Sequence, residues 1–204
     1  MAPAYKLSYF NFRGLAETAR FLLNYGGIEF EDVRVTQEEW PQLKEKMPFG
    51  TLPVLEHDGK QAGQSIAIAR YLAKQVGLAG KDDWENLEID AIVDTINDLR
   101  LKLLAIHFEK DEEKKKTLLE TAAKETIPYY ITRLETIVQQ NNGHLALGRL
   151  TWADFYFTTV CGAFDFFFGG DCLANSPSLK SLVQKVNELP AIKKWIEIRP
   201  KTEF

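Results

Sequence analysis

The apolar residues of this chain change their spacing once, near residue 77, and that change divides the structures open to either side. Before it, short runs of β-branched and aromatic residues interleave with stretches whose apolar positions recur every three or four residues. Beyond it the helical period is almost unbroken. This predicts an α/β domain over residues 1–77 and an all-α domain over residues 84–204, with Gly77-Leu-Ala-Gly-Lys-Asp-Asp83 as the linker. With 204 residues, 45% of them hydrophobic, the chain can bury a core without the help of disulfides or a structural metal.

In the first domain, Tyr5 to Tyr9 reads as a strand. Arg13 to Tyr25 reads as a helix with Leu15, Ala19, Leu22 and Leu23 on one face, ended by Gly26-Gly27. Ile28 to Val35 is a second strand. Asp58-Gly59, between Val54-Leu55-Glu56 and Lys60-Gln61-Ala62, is a hairpin signal, and Ser65 is placed to cap a helix from Ile66 to Val76. The order is βαβ, an irregular stretch, then ββα. A parallel βαβ unit followed by a hairpin and a helix gives a mixed four-stranded sheet with helices against it, the layout of a thioredoxin-like domain.

The second domain opens with a long helix from about Trp84, with Ile89, Ile92, Val93, Ile96, Leu99 and Leu103 as its buried stripe. Another spans about 112–140 and contains Pro128, which must kink it or start a new turn. In Leu150-Thr-Trp-Ala-Asp-Phe155, Thr151 and Asp154 have capping-box spacing, and Leu150 and Phe155 can form a hydrophobic staple. Shorter helices are expected near 178–188 and 191–198. Phe155, Tyr156, Phe157, Phe164, Phe166, Phe167 and Phe168 are so closely spaced that most must be core.

Several function classes are disfavoured. With 25 basic and 29 acidic residues and no basic block, nucleic acid is not an expected partner. The N-terminal residues lack the apolar core of a signal peptide and no apolar run has the length of a membrane span, so a cytoplasmic protein without a membrane partner is expected. Cys161 and Cys172 fit no zinc or redox spacing and read as free thiols. His57, His107 and His144 are far apart, and no serine-hydrolase order, HExxH, GxGxxG or phosphate loop is present. No metal is expected.

One segment does carry chemistry. In Met47-Pro-Phe-Gly-Thr-Leu-Pro-Val-Leu55, Leu52 precedes a proline that opens a strand without donating to its ladder, so Leu52 offers a backbone donor and acceptor to an extended peptide. Leu52-Pro53 is also a candidate for a cis bond. Shortly after, Gln64-Ser65 stands at a helix start, where unpaired amides and the positive end of the macrodipole suit a carboxylate. A small peptide bearing a carboxylate is the natural ligand.

The segments Tyr5-Lys-Leu-Ser-Tyr-Phe-Asn-Phe-Arg-Gly14, Trp40-Pro-Gln-Leu-Lys44, Pro48-Phe-Gly, Leu52-Pro-Val-Leu, Gln64-Ser-Ile-Ala-Ile-Ala-Arg-Tyr-Leu72 and Leu150-Thr-Trp-Ala-Asp-Phe155, in this order, resemble the cytosolic glutathione transferases, and within them the sigma class. Asp82 to Asp90 and Leu150 to Phe157 are similar to insect sigma members. The resemblance implies glutathione as co-substrate and Tyr9 as the hydroxyl that stabilises its thiolate, with Ser8 as the competing hydroxyl used in other classes. It implies that Gln64 and Ser65 hold the γ-glutamyl carboxylate, that Leu52, beside Pro53, pairs with the cysteinyl backbone, and that Trp40 and Lys44 hold the glycyl carboxylate. It further implies a homodimer in which Asp98 reaches the partner's γ-glutamyl ammonium. Phe12, Leu15, Gln37, Arg100, Ala105 and Phe204 would line an apolar electrophile pocket.

Two departures bear on the substrate. Sigma-class prostaglandin D synthases have an arginine and a tryptophan where this chain has Leu15 and Ala105, and Asn97 breaks their cation-binding aspartate cluster. The resemblance then favours lipid-peroxidation aldehydes and aryl halides as electrophiles, with peroxide reduction as a side activity. A prostaglandin isomerase, a non-catalytic ligand carrier and a crystallin-like structural protein are the alternatives.

Overall fold

The computed structural model describes residues 4–202. The chain forms two compact units: one runs to Leu78 and takes in the segment from Glu188 onward, and the other is Ala79–Asn187.

In the first unit, strands β1 (Tyr5–Phe10), β2 (Phe30–Val35), β3 (Val54–His57) and β4 (Lys60–Gly63) form one sheet in the order β2-β1-β3-β4. β1 runs parallel to β2 and antiparallel to β3, the mixed sheet expected of a thioredoxin-like domain. The β3–β4 turn has positive φ at both Asp58 and Gly59, which lets the two strands pair directly. Helices α1 (Glu17–Tyr25) and α3 (Ser65–Gln75) pack against each other, burying Leu22, Leu23, Ile68 and Leu72. The expected helix start at Arg13 is displaced: Gly14, at φ +42°, enters a 3₁₀ turn through Ala16, and α1 begins only at Glu17. The irregular stretch contains a short helix, α2 (Trp40–Lys44), whose second residue is Pro41.

The second unit holds α4 (Asp83–His107), α5 (Glu112–Thr121), α6 (Ile127–Gln140), α7 (Trp152–Phe168) and α8 (Pro177–Asn187). Asp82 caps α4 by accepting from Glu85 N at 2.8 Å. The predicted stripe is buried at Ile89, Val93, Ile96, Leu99 and Leu103, and half-buried at Ile92. The single helix expected over 112–140 is broken by a π-turn at Ala122–Thr126 just ahead of Pro128, which lies in the first turn of α6, where a missing amide costs least. At the head of α7, Asp154 accepts from Thr151 N at 2.9 Å and Leu145 N at 2.8 Å. Phe155, Tyr156, Phe157 and Phe164 are buried, while Phe166, Phe167 and Phe168 are half-exposed.

The last helix, α9 (Pro190–Ile198), departs from the expected 84–204 domain: it packs on α1, inside the first unit. The indole of Trp195 is the apolar reason, and a buried carboxylate on α1 is the polar one.

Candidate active site

The sheet register gathers the peptide-site candidates of the first unit. Ser8, Val54 and Gly63 form one row across β1, β3 and β4. The residues that leave this row are Tyr9, Pro53 and Gln64, so all three emerge at the same end of the sheet. Because β2 runs parallel to β1, the loop carrying Gln37 and Trp40 also starts from that end. Successive strand residues face opposite sides of the sheet, so Tyr9 and Ser8, both buried, do not share a face.

Tyr9 Oη accepts a hydrogen bond from Leu15 N at 3.2 Å. A phenol oxygen can accept from a backbone amide and still carry an O–H capable of donating. The approach needs Gly14: a Cβ there would stand 2.7 Å from Tyr9 Oη and 2.7 Å from Phe12 Cε2. Edge-on rings surround the phenol, Phe12 at 5.1 Å and Phe10 at 5.8 Å between centroids. Phe10 also meets Trp40 edge-on at 5.4 Å, which joins α2 to the Tyr9 cluster.

Trp40 and Lys44 are four residues apart and share a face of α2. Lys44 is exposed, and its stem lies over Gly50. The Leu52–Pro53 bond is cis, with Leu52 half-buried and Pro53 buried. Gln64 holds φ +71° and ψ +106°, a conformation that non-glycine residues rarely adopt, and it is the N-cap of α3. Ser65, expected to be that cap, is instead the first residue of the helix, and the Gln64 side chain makes no capping bond. The first amides of α3 thus stand beside two exposed or half-exposed polar side chains at the sheet end that carries Tyr9.

Of the expected electrophile-pocket residues, Phe12 and Leu15 are half-buried beside Tyr9, and Gln37 is exposed. Arg100 and Ala105 lie on α4 in the other unit, half-buried and exposed respectively. Phe204 lies outside the described residues. Asp98, also on α4, is exposed and borders a cleft of about 380 Å³ with Tyr129, Tyr130 and Arg133. Burial, and then the Asp98 charge, pushes the Tyr130 phenol above its usual pKa. Asn97 Oδ1 accepts from Arg100 Nε at 3.0 Å and from Tyr156 Oη at 3.1 Å, so its oxygen serves the inside of the unit. Among the described residues no cluster of three or more His, Cys, Asp and Glu could hold a metal. No helix among them is long and apolar enough to cross a membrane. The Cys172 thiol is pushed up to about 12, first by burial and then by Asp165, and is no nucleophile.

The sequence reading missed three residues at this site. Phe10, one residue beyond the strand expected over Tyr5 to Tyr9, had no role in the sequence reading and ends β1. Gly14 stood in a quoted motif without a role, although an Arg-Gly pair just after a strand signals a tight turn. Arg20 is wholly buried, donating to the carbonyls of Phe12 at 3.1 Å and Arg13 at 3.2 Å, with its Cζ 5.9 Å from the Tyr9 ring centroid. Its signal was a charge set among the apolar positions of α1.

The chain is similar to known proteins along most of its length. A model of the glutathione S-transferase N-terminal domain matches residues 5–74, and one of the C-terminal domain matches residues 97–199. The chain is 51% identical to a glutathione S-transferase of Anopheles gambiae, over 98% of this chain and 99% of that one. It is 52% identical to glutathione S-transferase S1 of Drosophila melanogaster, over 98% of this chain and 80% of that one. The solved structure of prostaglandin synthase D of Nilaparvata lugens superposes with a TM-score of 0.91 at 46% identity, covering 98% of this chain and 100% of that one. With both halves of its length matched by the same family and its fold shared throughout, this chain belongs to the glutathione S-transferases and is a glutathione transferase.

Proposed function

We propose that the chain is a sigma-class transferase in which Tyr9 activates glutathione for attack on hydrophobic electrophiles, lipid-peroxidation aldehydes and aryl halides among them. An unperturbed thiol has a pKa of about 8.5, so a small fraction of it is thiolate at neutral pH. A phenol O–H donated to sulfur stabilises the charged form. Lowering the pKa by about 2 units takes about 2.7 kcal/mol, within reach of a charge-assisted hydrogen bond and neighbouring dipoles. The proton leaves the thiol for solvent and the sulfur lone pair forms a C–S bond. On an aryl halide the halide departs with the bonding pair. On an unsaturated aldehyde the β-carbon is attacked and the resulting enolate takes a proton. Peroxide reduction by the same thiolate is a side activity.

The observation that carries this reading is the Tyr9 hydroxyl, fixed by Leu15 N at 3.2 Å at the sheet end where α3 begins. The first amides of α3, with Gln64 and Ser65, hold the γ-glutamyl carboxylate. Leu52, beside Pro53, pairs with the cysteinyl backbone, and Trp40 and Lys44 take the glycyl carboxylate. The protein acts as a homodimer, with Asp98 reaching the partner's γ-glutamyl ammonium. Phe12, Leu15 and Gln37 contribute to the electrophile pocket. The name of the Drosophila melanogaster relative supports the class.

Ultraviolet titration of bound glutathione tests it. Wild type should show thiolate near neutral pH, and Tyr9→Phe should raise the midpoint by one to several units, about 1.4 kcal/mol for each. Unchanged titration and turnover would move the role to Ser8 or another donor. The likeness to a prostaglandin synthase D favours a second reading, endoperoxide isomerisation, which product analysis with the endoperoxide decides.

A further inference from the structure

Behind Tyr9 lies a buried network of charges that no glutathione contact requires. Glu17, 1% exposed, is its hub. Glu17 Oε2 accepts from Arg20 Nη1 at 3.0 Å, while Oε1 accepts from Trp195 Nε1 at 2.9 Å and Arg199 Nη1 at 2.7 Å. Arg20 Nε donates to Asp32 Oδ1 at 2.9 Å, and Asp32 Oδ2 accepts from Arg34 Nε at 2.7 Å. The carboxylates of Glu17 and Asp32 are thus faced by the guanidinium groups of Arg20, Arg34 and Arg199 in a region largely shut off from water. The cluster is held by this pairing, and what it passes to Tyr9 is position.

The geometry gives this cluster a direction. A fully buried guanidinium between two carboxylates has little freedom, since moving it would leave buried charge unpaired. The same guanidinium donates to the carbonyls of Phe12 and Arg13, which enter the turn that sets Gly14 and Leu15 N against the Tyr9 oxygen. One end of the chain of contacts is therefore the last helix, α9, and the other is the phenol.

We propose that Glu17 is a positioning residue for Tyr9, acting through Arg20, and that Trp195 and Arg199 make the C-terminal helix a determinant of the acidity of the bound thiol. This rests on the reading of Tyr9 as the sulfur's donor. Neither Glu17 nor Trp195 belongs to the expected peptide site, so the role predicts an effect on kcat and on the thiol titration with little effect on glutathione binding.

The test compares Trp195→Phe, Glu17→Gln and Tyr9→Phe in the full chain, with glutathione itself as the probe. Trp195→Phe removes one hydrogen bond to Glu17 and leaves every charge in place. Its thiolate midpoint should rise by about half a unit, and that of Glu17→Gln by about one unit, lost placement of the hydroxyl outweighing the uncovered positive charge, which alone would lower the midpoint; one unit is a tenfold loss of thiolate at a pH well below the midpoint. KM for glutathione should stay within about twofold while kcat falls in proportion, since a displaced donor harms the reacting geometry before it harms binding. A folded Trp195→Phe protein with a lower melting temperature but wild-type titration and kcat would overturn the inference and leave the network purely structural. That variant also decides the matter if Glu17→Gln fails to fold. If Tyr9→Phe itself leaves the titration unchanged, the reading beneath falls and this inference falls with it, whereas a shift in Tyr9→Phe alone refutes only the role of Glu17.

Discussion

At Gly14 two requirements meet on one residue: a backbone with φ +42° and a space that a single methyl would fill, 2.7 Å from Tyr9 Oη. The first makes any side chain there unfavourable by about 1 kcal/mol, because only glycine visits positive φ without penalty. The second is local to the phenol, since the contact is shorter than any real Cβ makes. Gly14→Ala should therefore lose about 1–2 kcal/mol of stability and, separately, drop kcat at least about tenfold as the hydroxyl is pushed from its place. Chemical denaturation and steady-state kinetics on the same preparation read the two effects independently. Wild-type kcat in a destabilised but folded variant would show that the hydroxyl does not need the position it holds here. The motif that names Tyr9, Gln64 and Ser65 is local, and the structure sets all three at one end of the sheet. Arg20 was not legible in the sequence, because a buried guanidinium is recognised by its acceptors, and two of those are backbone carbonyls with no sequence signature.

Elements whose ends are marked by local chemistry were read closely. The Asp58-Gly59 turn and the Asp154 start of α7 are examples, since a turn or a cap is decided by neighbours a few residues away. The break between α5 and α6 was read as a kink or a new turn at Pro128, and a π-turn ahead of it was beyond reach, because periodicity does not distinguish the two. The start of α8 depends on a residue far away. Glu135 on α6 accepts from Ser178 N and Leu179 N, both at 2.9 Å, and so supplies the acceptors that the first turn of α8 lacks. Burial alone would raise the Glu135 carboxyl, but the amides of Leu179 and Ser178, with Gln139, hold it below its usual value of 4.5. A carboxyl lowered in the folded state stabilises above its unfolded pKa, and that stability is lost as pH falls through the folded pKa. Glu135→Gln should cost about 1–3 kcal/mol at neutral pH, and the gap to wild type should close as the pH is lowered below about 4. Urea unfolding at a series of pH values checks this, and a gap that stays constant with pH would assign the effect to shape rather than charge.

For the molecule as a whole, the change of spacing near residue 77 located the end of the first unit's sheet and helices, but the sequence could not announce that the chain returns to it. Trp195 and Glu17 are separated by 178 positions, and nothing local to α9 distinguishes a helix that closes its own domain from one that packs on another. The homodimer proposed above is still less legible, since Asp98, the residue it is argued from, is simply an exposed carboxylate in one copy. If Asp98 serves the partner's glutathione, each site needs Tyr9 from one subunit and Asp98 from the other, and that can be read by mixing two defective proteins. In a dimer of one Tyr9→Phe subunit and one Asp98→Ala subunit, the second subunit's site has its own Tyr9 and receives the first subunit's Asp98, while the other site carries both defects. Half of the dimers formed at random from equal amounts would be such hybrids, each with one intact site. Co-refolded subunits should therefore recover about one quarter of wild-type activity, well above either parent, which is the signature of a site shared across a two-fold interface. If Asp98 acts within its own chain, every site in the mixture keeps one defect, and activity will stay at the mean of the two parents.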